Sequence, residues 1–216
     1  MRTTRLCTGI ILGIMILVVG PGAVRAQPSG DPNNQGNLLF DKGDYDGAIL
    51  LYSQAIGLDP NDSVAYNNRG NAYDAKGEYD LAIQDYNEAL RLNPNFAHAY
   101  ADRGYAYDDK GEYDLAIQDY NQALKLDSNY ATAYNNRGEA YDAKGEYDLA
   151  IQDCSQAFKL DSSLVTSLYY SAKACEHAGR TADALAGYER FVAVAPAADS
   201  ELVAKAQARI QALKSK

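Results

Sequence analysis

Tryptophan is absent from this chain of 216 residues, which has only 2 histidines, 3 cysteines and 2 methionines. Each scarcity removes a class of activity. His98 and His177 lie far apart, without the spacing of metal ligands, so no metal site is expected. No serine or cysteine sits in a nucleophile elbow or beside a recognisable base. No glycine pattern resembles a phosphate loop. Carboxylates are plentiful, but no Asp-x-Asp-x-Asp-Gly string offers a calcium loop. The chain is therefore not expected to be an enzyme, and no cofactor is implied. Basic charge is also short, with 20 Lys+Arg against 29 Asp+Glu and a net charge of −9. Such a surface repels phosphate backbones and offers anionic lipid no basic patch, which argues against nucleic acid as a partner.

Long apolar runs are missing except at the start. Arg2 and Arg5 precede the uncharged run Leu6–Gly20, Pro21 and Gly22 break it, and Ala23-Val24-Arg25-Ala26 ends in a small-residue cleavage pattern. This is the layout of a secretory signal peptide, expected over residues 1–26 with a linker at 27–30. The alternative is an uncleaved inner-membrane anchor over residues 6–23, although the run falls short of the roughly 20 apolar residues of a spanning helix. Only with that anchor would the chain be held at a membrane. Cleavage would remove Arg2, Arg5 and Arg25 and no acid, taking the net charge from −9 to −12. The expected destination is periplasmic or secreted. Export makes a Cys154–Cys175 disulfide chemically feasible. The other reading of the pair is two small buried apolar residues.

What the chain has in abundance is repetition. Gly-Glu-Tyr-Asp-Leu-Ala-Ile-Gln-Asp occurs unchanged at Gly77–Asp85, Gly111–Asp119 and Gly145–Asp153, 34 residues apart each time. A period of this length marks a repeat array. Five windows follow, 29–62, 63–96, 97–130, 131–164 and 165–198, the middle three being close copies. In the second, Ala65, Tyr66, Ala72 and Tyr73 lie on one side of a helix, with Asn67, Asn68, Asn71 and Asp74 on the other. Lys76 and Gly77 stop it. Tyr79, Ala82, Ile83, Tyr86, Ala89 and Leu90 predict a second helix, which Asn93-Pro94-Asn95 ends. Each window is thus a helical hairpin. After Pro196, Leu202, Ala206, Ile210 and Leu213 form one apolar stripe, predicting a capping helix within 199–216.

The unit resembles the tetratricopeptide repeat, through Tyr66, Gly70, Tyr73, Ala82, Tyr86, Ala89 and Pro94 and their counterparts in register, such as Tyr100, Gly104, Tyr107, Ala116, Tyr120 and Ala123. The chain looks like an exported bacterial member. The resemblance implies an all-α, right-handed α-solenoid of about five helix-turn-helix hairpins plus the cap, with the array over 31–198. It also implies that first-helix positions line a concave groove. The expected groove set is Asn33, Asn34, Asn37, Asn67, Asn68, Asn71, Asp102, Tyr105, Asn135, Asn136 and Glu139. An amide both donates and accepts, so it can pair with any peptide group. The alternative is a solvated polar face. Chaperone-binding members of the family grip a terminal carboxylate with Lys and Arg, but here the matching positions hold Asn, Asp or Ala. The expected ligand is therefore a neutral or basic protein segment, without a carboxylate clamp.

Arg69, Arg103 and Arg137 could be read as a basic ladder. Each, however, has an Asp sixteen residues on, Asp85, Asp119 or Asp153, and the first and fifth windows lack both partners. The sequence therefore predicts structural ion pairs within hairpins. The function implied is a non-catalytic interaction scaffold, an assembly or adaptor factor of the bacterial envelope. The competing reading is a self-associating structural repeat protein, since near-identical units can stack end to end.

Overall fold

The computed structural model describes residues 30–196 and 199–215. The expected signal segment 1–26 and all but the last residue of the linker lie outside them. Among the described residues there are eleven α-helices and no strand. They are α1 (Pro32–Phe40), α2 (Tyr45–Leu58), α3 (Ser63–Ala75), α4 (Tyr79–Leu92), α5 (Ala97–Asp109), α6 (Tyr113–Leu126), α7 (Ala131–Ala143), α8 (Tyr147–Leu160), α9 (Thr166–His177), α10 (Thr181–Val194) and α11 (Ser200–Lys214). No described helix is long and apolar enough to cross a membrane.

Each hairpin turns at a glycine. Gly77 has φ +75°, and Gly43, Gly111, Gly145 and Gly179 match it between +73° and +80°. A Cβ disfavours that left-handed backbone, which is why even the divergent first and last hairpins keep the residue. The turn is also pinned electrostatically, because the Lys before each central glycine reaches back to the preceding hairpin. Lys76 Nζ lies 2.8 Å from Asp46, Lys110 2.8 Å from Asp80 and Lys144 2.7 Å from Asp114.

Within a hairpin the two helices interlock through an aromatic over a bare backbone. A Cβ placed on Gly70 would meet the Tyr86 ring at 2.6 Å, and one on Gly36 would meet Tyr52 at 2.5 Å. Tyr52, Tyr86 and Tyr120 are accordingly buried. The fifth hairpin inverts the arrangement. It has Ala172 in place of the first-helix glycine, and room for that methyl comes from Gly187 on the facing helix, where a Cβ would lie 2.8 Å from the Ala172 Cβ.

The hairpins stack in chain order, and α11 packs on α10. Consecutive first helices also touch, α1 on α3, α3 on α5, α5 on α7 and α7 on α9, while no comparable packing joins consecutive second helices among the described residues. First helices crowd together and second helices spread, so the array curves with α1, α3, α5, α7 and α9 on its inner face. The cap covers the last core, where Ala206 and Leu213 are buried with Tyr188 and Phe191.

Candidate functional site

The groove floor is built from the polar sides of the first helices. Asn33 and Asn68 are half-buried, and Asn68 Nδ2 donates to Asn33 Oδ1 at 2.9 Å and to Asn37 Oδ1 at 3.2 Å. Asn37 Oδ1 also accepts from the Tyr52 hydroxyl at 2.8 Å, as Asn71 Oδ1 does from Tyr86 at 2.7 Å. Asn34 and Tyr105 are exposed, while Asn71, Asp102, Asn136 and Glu139 are half-buried on the same face.

Two of the expected groove residues do not belong to the surface. Asn67 is 4% exposed and Asn135 is 6% exposed. Their register points them into the seam between consecutive first helices. Asn67 Nδ2 donates to Asp102 Oδ2 at 2.9 Å, across one repeat, and Asn135 Oδ1 accepts from Ser167 Oγ at 2.8 Å. Buried amides need hydrogen bonds, and the next repeat supplies one to each, although Asn67 Oδ1 is buried without a partner. Asn67 and Asn135 therefore stitch the array together and are not free to hold a ligand.

Between α3, α5 and α7 the groove deepens into a cavity of about 430 Å³, lined by Asn71, Asp74, Asp102, Tyr105, Tyr130 and Asn136, with Phe40 at one end. The carboxyl groups along the first helices, Asp74 and Asp102 in the cavity wall and Asp108 and Glu139 outside it, are crowded and partly dehydrated. Burial, with Asp109 and Asp102 nearby, pushes Asp74 up to about 7. Burial likewise pushes Asp108 up to about 7, helped by Glu139 and Asp109 and opposed by Lys173. Asp102 is raised by burial even though Asn67, Asn71 and His98 favour its ionised form. Glu139 is raised by burial against Lys173 and Tyr170. Desolvated carboxyl groups resist ionising together, and a cation delivered among them would relieve the penalty. At the C-terminal end Lys173 answers the Asp142 charge at 3.1 Å, and His177 Nδ1 lies in hydrogen-bond contact with the same carboxylate at 2.7 Å.

Arg69, Arg103 and Arg137 leave the groove floor for the hairpin interior. Arg69 donates through Nε and Nη2 to both oxygens of Asp85 at 2.7 Å, Arg103 does the same to Asp119, and Arg137 binds Asp153 at 2.6 and 2.9 Å. The remaining nitrogen reaches the second helix of the preceding hairpin, Nη1 donating to Ser53 Oγ, Asn87 Oδ1 and Asn121 Oδ1 respectively. Each guanidinium thus ties three helices across two hairpins. Cys154 and Cys175 are free thiols in separate surroundings, so the disulfide considered above is absent. Cys154 replaces the interlocking tyrosine of its hairpin, its Sγ lying 2.7 Å from where a Gly138 Cβ would be, and Cys175 packs in the terminal core. Burial raises the pKa of the Cys154 thiol, which leaves it protonated and inert.

Sequence reasoning missed the third partner of each arginine. A polar residue sixteen positions before it, Ser53, Asn87 or Asn121, recurs at the same period and could have been found by the comparison that found the aspartates. It also missed Phe40, Tyr130 and Thr132 in the cavity wall, which the curvature brings in and no periodic signal marks. Among the described residues, no group of three or more His, Cys, Asp or Glu side chains is placed to hold a metal ion.

Comparison with known proteins follows the same lines. Family models described as Tetratricopeptide repeat match residues 63–96 and 131–164 and, from a second such model, 85–118, and a TPR repeat model matches 36–77 and 104–145. No curated protein sequence matches the chain. Among solved structures, the MamA protein is 27% identical with a TM-score of 0.66, covering 74% of this chain and 88% of that one. A thermophilic TPR protein of Thermus thermophilus is 24% identical with a TM-score of 0.68, over 83% and 97%. The first TPR of Spaghetti (RPAP3), solved with the HSP90 peptide SRMEEVD, is 32% identical with a TM-score of 0.51, over 52% and 89%.

Proposed function

The chain belongs to the tetratricopeptide repeat family, and from that membership we propose that it is a non-catalytic scaffold whose inner face binds an extended, neutral or basic segment of another protein. The observation that carries the reading is the acid-walled cavity on the inner face, where Asp74, Asp102 and Tyr105 line one recess and burial raises Asp74 to about 7. An acidic wall of this kind disfavours a ligand such as the HSP90 peptide in the RPAP3 structure, whose SRMEEVD sequence ends in acids. The reading includes export, with residues 1–26 removed on the way, and an adaptor or assembly role in a bacterial envelope. The uncharged run Leu6–Gly20 and the small-residue cleavage pattern at Ala23-Val24-Arg25-Ala26 support that part.

The test is a photo-crosslinking residue in the living cell at Tyr105, which is 44% exposed in the groove, with a matched probe at Gln118 on the exposed side of α6. The expected result is a discrete adduct from the first position and none from the second. Equal adducts from both, or none, would remove the groove as the binding surface. Self-association remains the second reading because the first hairpin exposes Leu38 at 60%, Leu50 at 60% and Leu58 at 62%, at the end opposite the cap. Adducts to the chain itself from Leu50, together with a mass that rises with concentration in sedimentation, would favour it.

A further inference from the structure

Asp74, Asp108 and Asp142 stand at the same place in three successive hairpins, 34 residues apart. In the fourth hairpin the next repeat completes this carboxylate. Lys173 Nζ lies 3.1 Å from Asp142 Oδ2, and His177 Nδ1 lies 2.7 Å from Asp142 Oδ1. The positions equivalent to Lys173 and His177 hold Glu139 and Ala143 for Asp108, and Tyr105 and Asp109 for Asp74. Neither pair includes a cation. Among the described residues, Asp74 Oδ1 and Asp108 Oδ1 are accordingly buried without a hydrogen-bond partner. The surroundings separate these two. Asp74 lines the cavity of about 430 Å³, together with Phe40, Tyr105 and Tyr130, whereas Asp108 does not line it. The other acid of that wall, Asp102, is already engaged, accepting from Asn67 Nδ2 at 2.9 Å.

A buried carboxylate oxygen without a partner is costly, and a cavity walled by that carboxylate leaves room for the partner to come from outside. We propose that this cavity receives one lysine side chain of the bound segment, its ammonium set against Asp74 as Lys173 is set against Asp142; the proposal rests on the groove reading above and names the residue that the groove anchors. The Asp142–Lys173 contact is the chain's own pattern for the pair, made between the same two positions of consecutive first helices. Asp142 receives its two partners separately, one on each oxygen, which suits the compact ammonium better than the planar fork of a guanidinium. The rings of Phe40, Tyr105 and Tyr130 in the wall can cover the methylene stem and offer their faces to the charge. The volume falls within the range of small-ligand sites and admits a whole side chain. With Asp102 held by Asn67, one carboxylate in the wall is left open, so the cavity fits a single anchoring cation and not a basic run. A divalent ion is the poorer occupant, since among the described residues no group of three ligating side chains is placed to hold one.

The probe is n-butylammonium, the lysine side chain alone, titrated into the purified protein at pH 8 and low salt. The readout is the NMR shift of the Asp74 carboxyl carbon and the Tyr105 and Tyr130 rings. Butan-1-ol is the neutral control and butylguanidinium the planar one. Saturable shifts are expected at all three residues, with butylammonium binding about tenfold tighter than butanol, as a charge-assisted contact should. Asp74→Asn is expected to bring the ammonium down to the level of butanol, while Asp108→Asn, the equivalent change outside the cavity, leaves it as it was. A second variant tests the internal pattern directly. Tyr105→Lys puts an ammonium at the position of Lys173, on a residue 44% exposed, and is expected to abolish probe binding and raise the urea midpoint at pH 8. Tyr105→Leu, which removes the ring and supplies no cation, is expected to weaken binding about threefold without raising the midpoint. No saturable shift, equal binding of butanol, or binding that survives Asp74→Asn or Tyr105→Lys would overturn the proposal, and tighter binding of butylguanidinium would overturn the lysine assignment. A crosslink from Tyr105 in the cell with a cavity silent to butylammonium would sink this proposal and spare the groove. Butylammonium binding with no crosslink would uphold the cavity as a cation site and sink the groove reading.

Discussion

Replacing Tyr86 and Tyr120 by phenylalanine removes the same atom from equivalent places, with opposite expected results. The Tyr86 hydroxyl donates to Asn71 Oδ1 at 2.7 Å, in a half-buried site. Losing such a bond costs about 1 kcal/mol, and the half-buried Asn71 recovers part of its solvation from the groove. The Tyr120 hydroxyl is fully buried and makes no bond in the chain. Removing it relieves a desolvation penalty of about 1–3 kcal/mol and breaks no contact. Tyr120→Phe should therefore be neutral to stabilising, and the two variants should differ by about 2 kcal/mol or more. For a chain of this size that separates their melting temperatures by roughly 4–8 °C. Repeat arrays can unfold in parts, so the assay is native-state hydrogen exchange on the amides of α4 and α6, with urea denaturation alongside. Equal destabilisation by the two substitutions would refute the reasoning, since it would mean that the Tyr120 hydroxyl is bonded in solution.

Four other outcomes follow from the same geometry. Arg103→Met leaves Asp119, 5% exposed, without its cation, and should cost about 3–5 kcal/mol in urea denaturation. Arg103→Met combined with Asp119→Leu should recover most of that loss. Gly70→Ala drives a methyl into the Tyr86 ring and should cost about 1–3 kcal/mol by the same measurement, whereas Gly57→Ala, in a helix with open space around it, should stabilise by about 0.5–1 kcal/mol. Asp74 and Asp108 are raised from 3.8 to about 7, so the folded chain holds protons that the unfolded chain has released. Stability from these two groups is therefore greatest below about pH 4, falls as pH rises through the window to 7, and is level above it, which urea midpoints at pH 5, 6, 7 and 8 would trace. Asp109, Asp102, Glu139 and Lys173 bear on the pair, and Asp74→Asn with Asp108→Asn should flatten the profile. Leu213→Asp, in the buried stripe of the cap, should loosen α11 from Phe191 and Tyr188 and be seen as lost exchange protection in α10.

The hairpins were legible because their signals are local and recur. Gly77 and its counterparts, the alternation of small and aromatic residues, and the stripe through Leu202, Ala206 and Ile210 each sit at fixed spacing. The arginine–aspartate spacing could be read for the same reason, since partners sixteen residues apart return three times. The groove was harder. Whether an asparagine faces ligand or seam depends on how far each hairpin rotates on the last, and that angle is a property of packed side chains with no imprint in the period. Asn67 and Asn68 are neighbours of the same type, yet the first is buried against Asp102 while the second keeps to the inner face. The exchange of Ala172 and Gly187 shows the same limit, as each substitution looks like decay until the helices are put together.

The arginine brackets point one way. Every one of them holds its own hairpin and grasps the one before it, and none grasps the one after. Cutting the array from its C-terminal end would thus leave each surviving bracket whole. Cutting from the N-terminal end would strand a guanidinium nitrogen at each new edge. The chain resembles a zipper with a preferred end for opening. A growing polypeptide that folds as it emerges would find every bracket's backward partner already waiting.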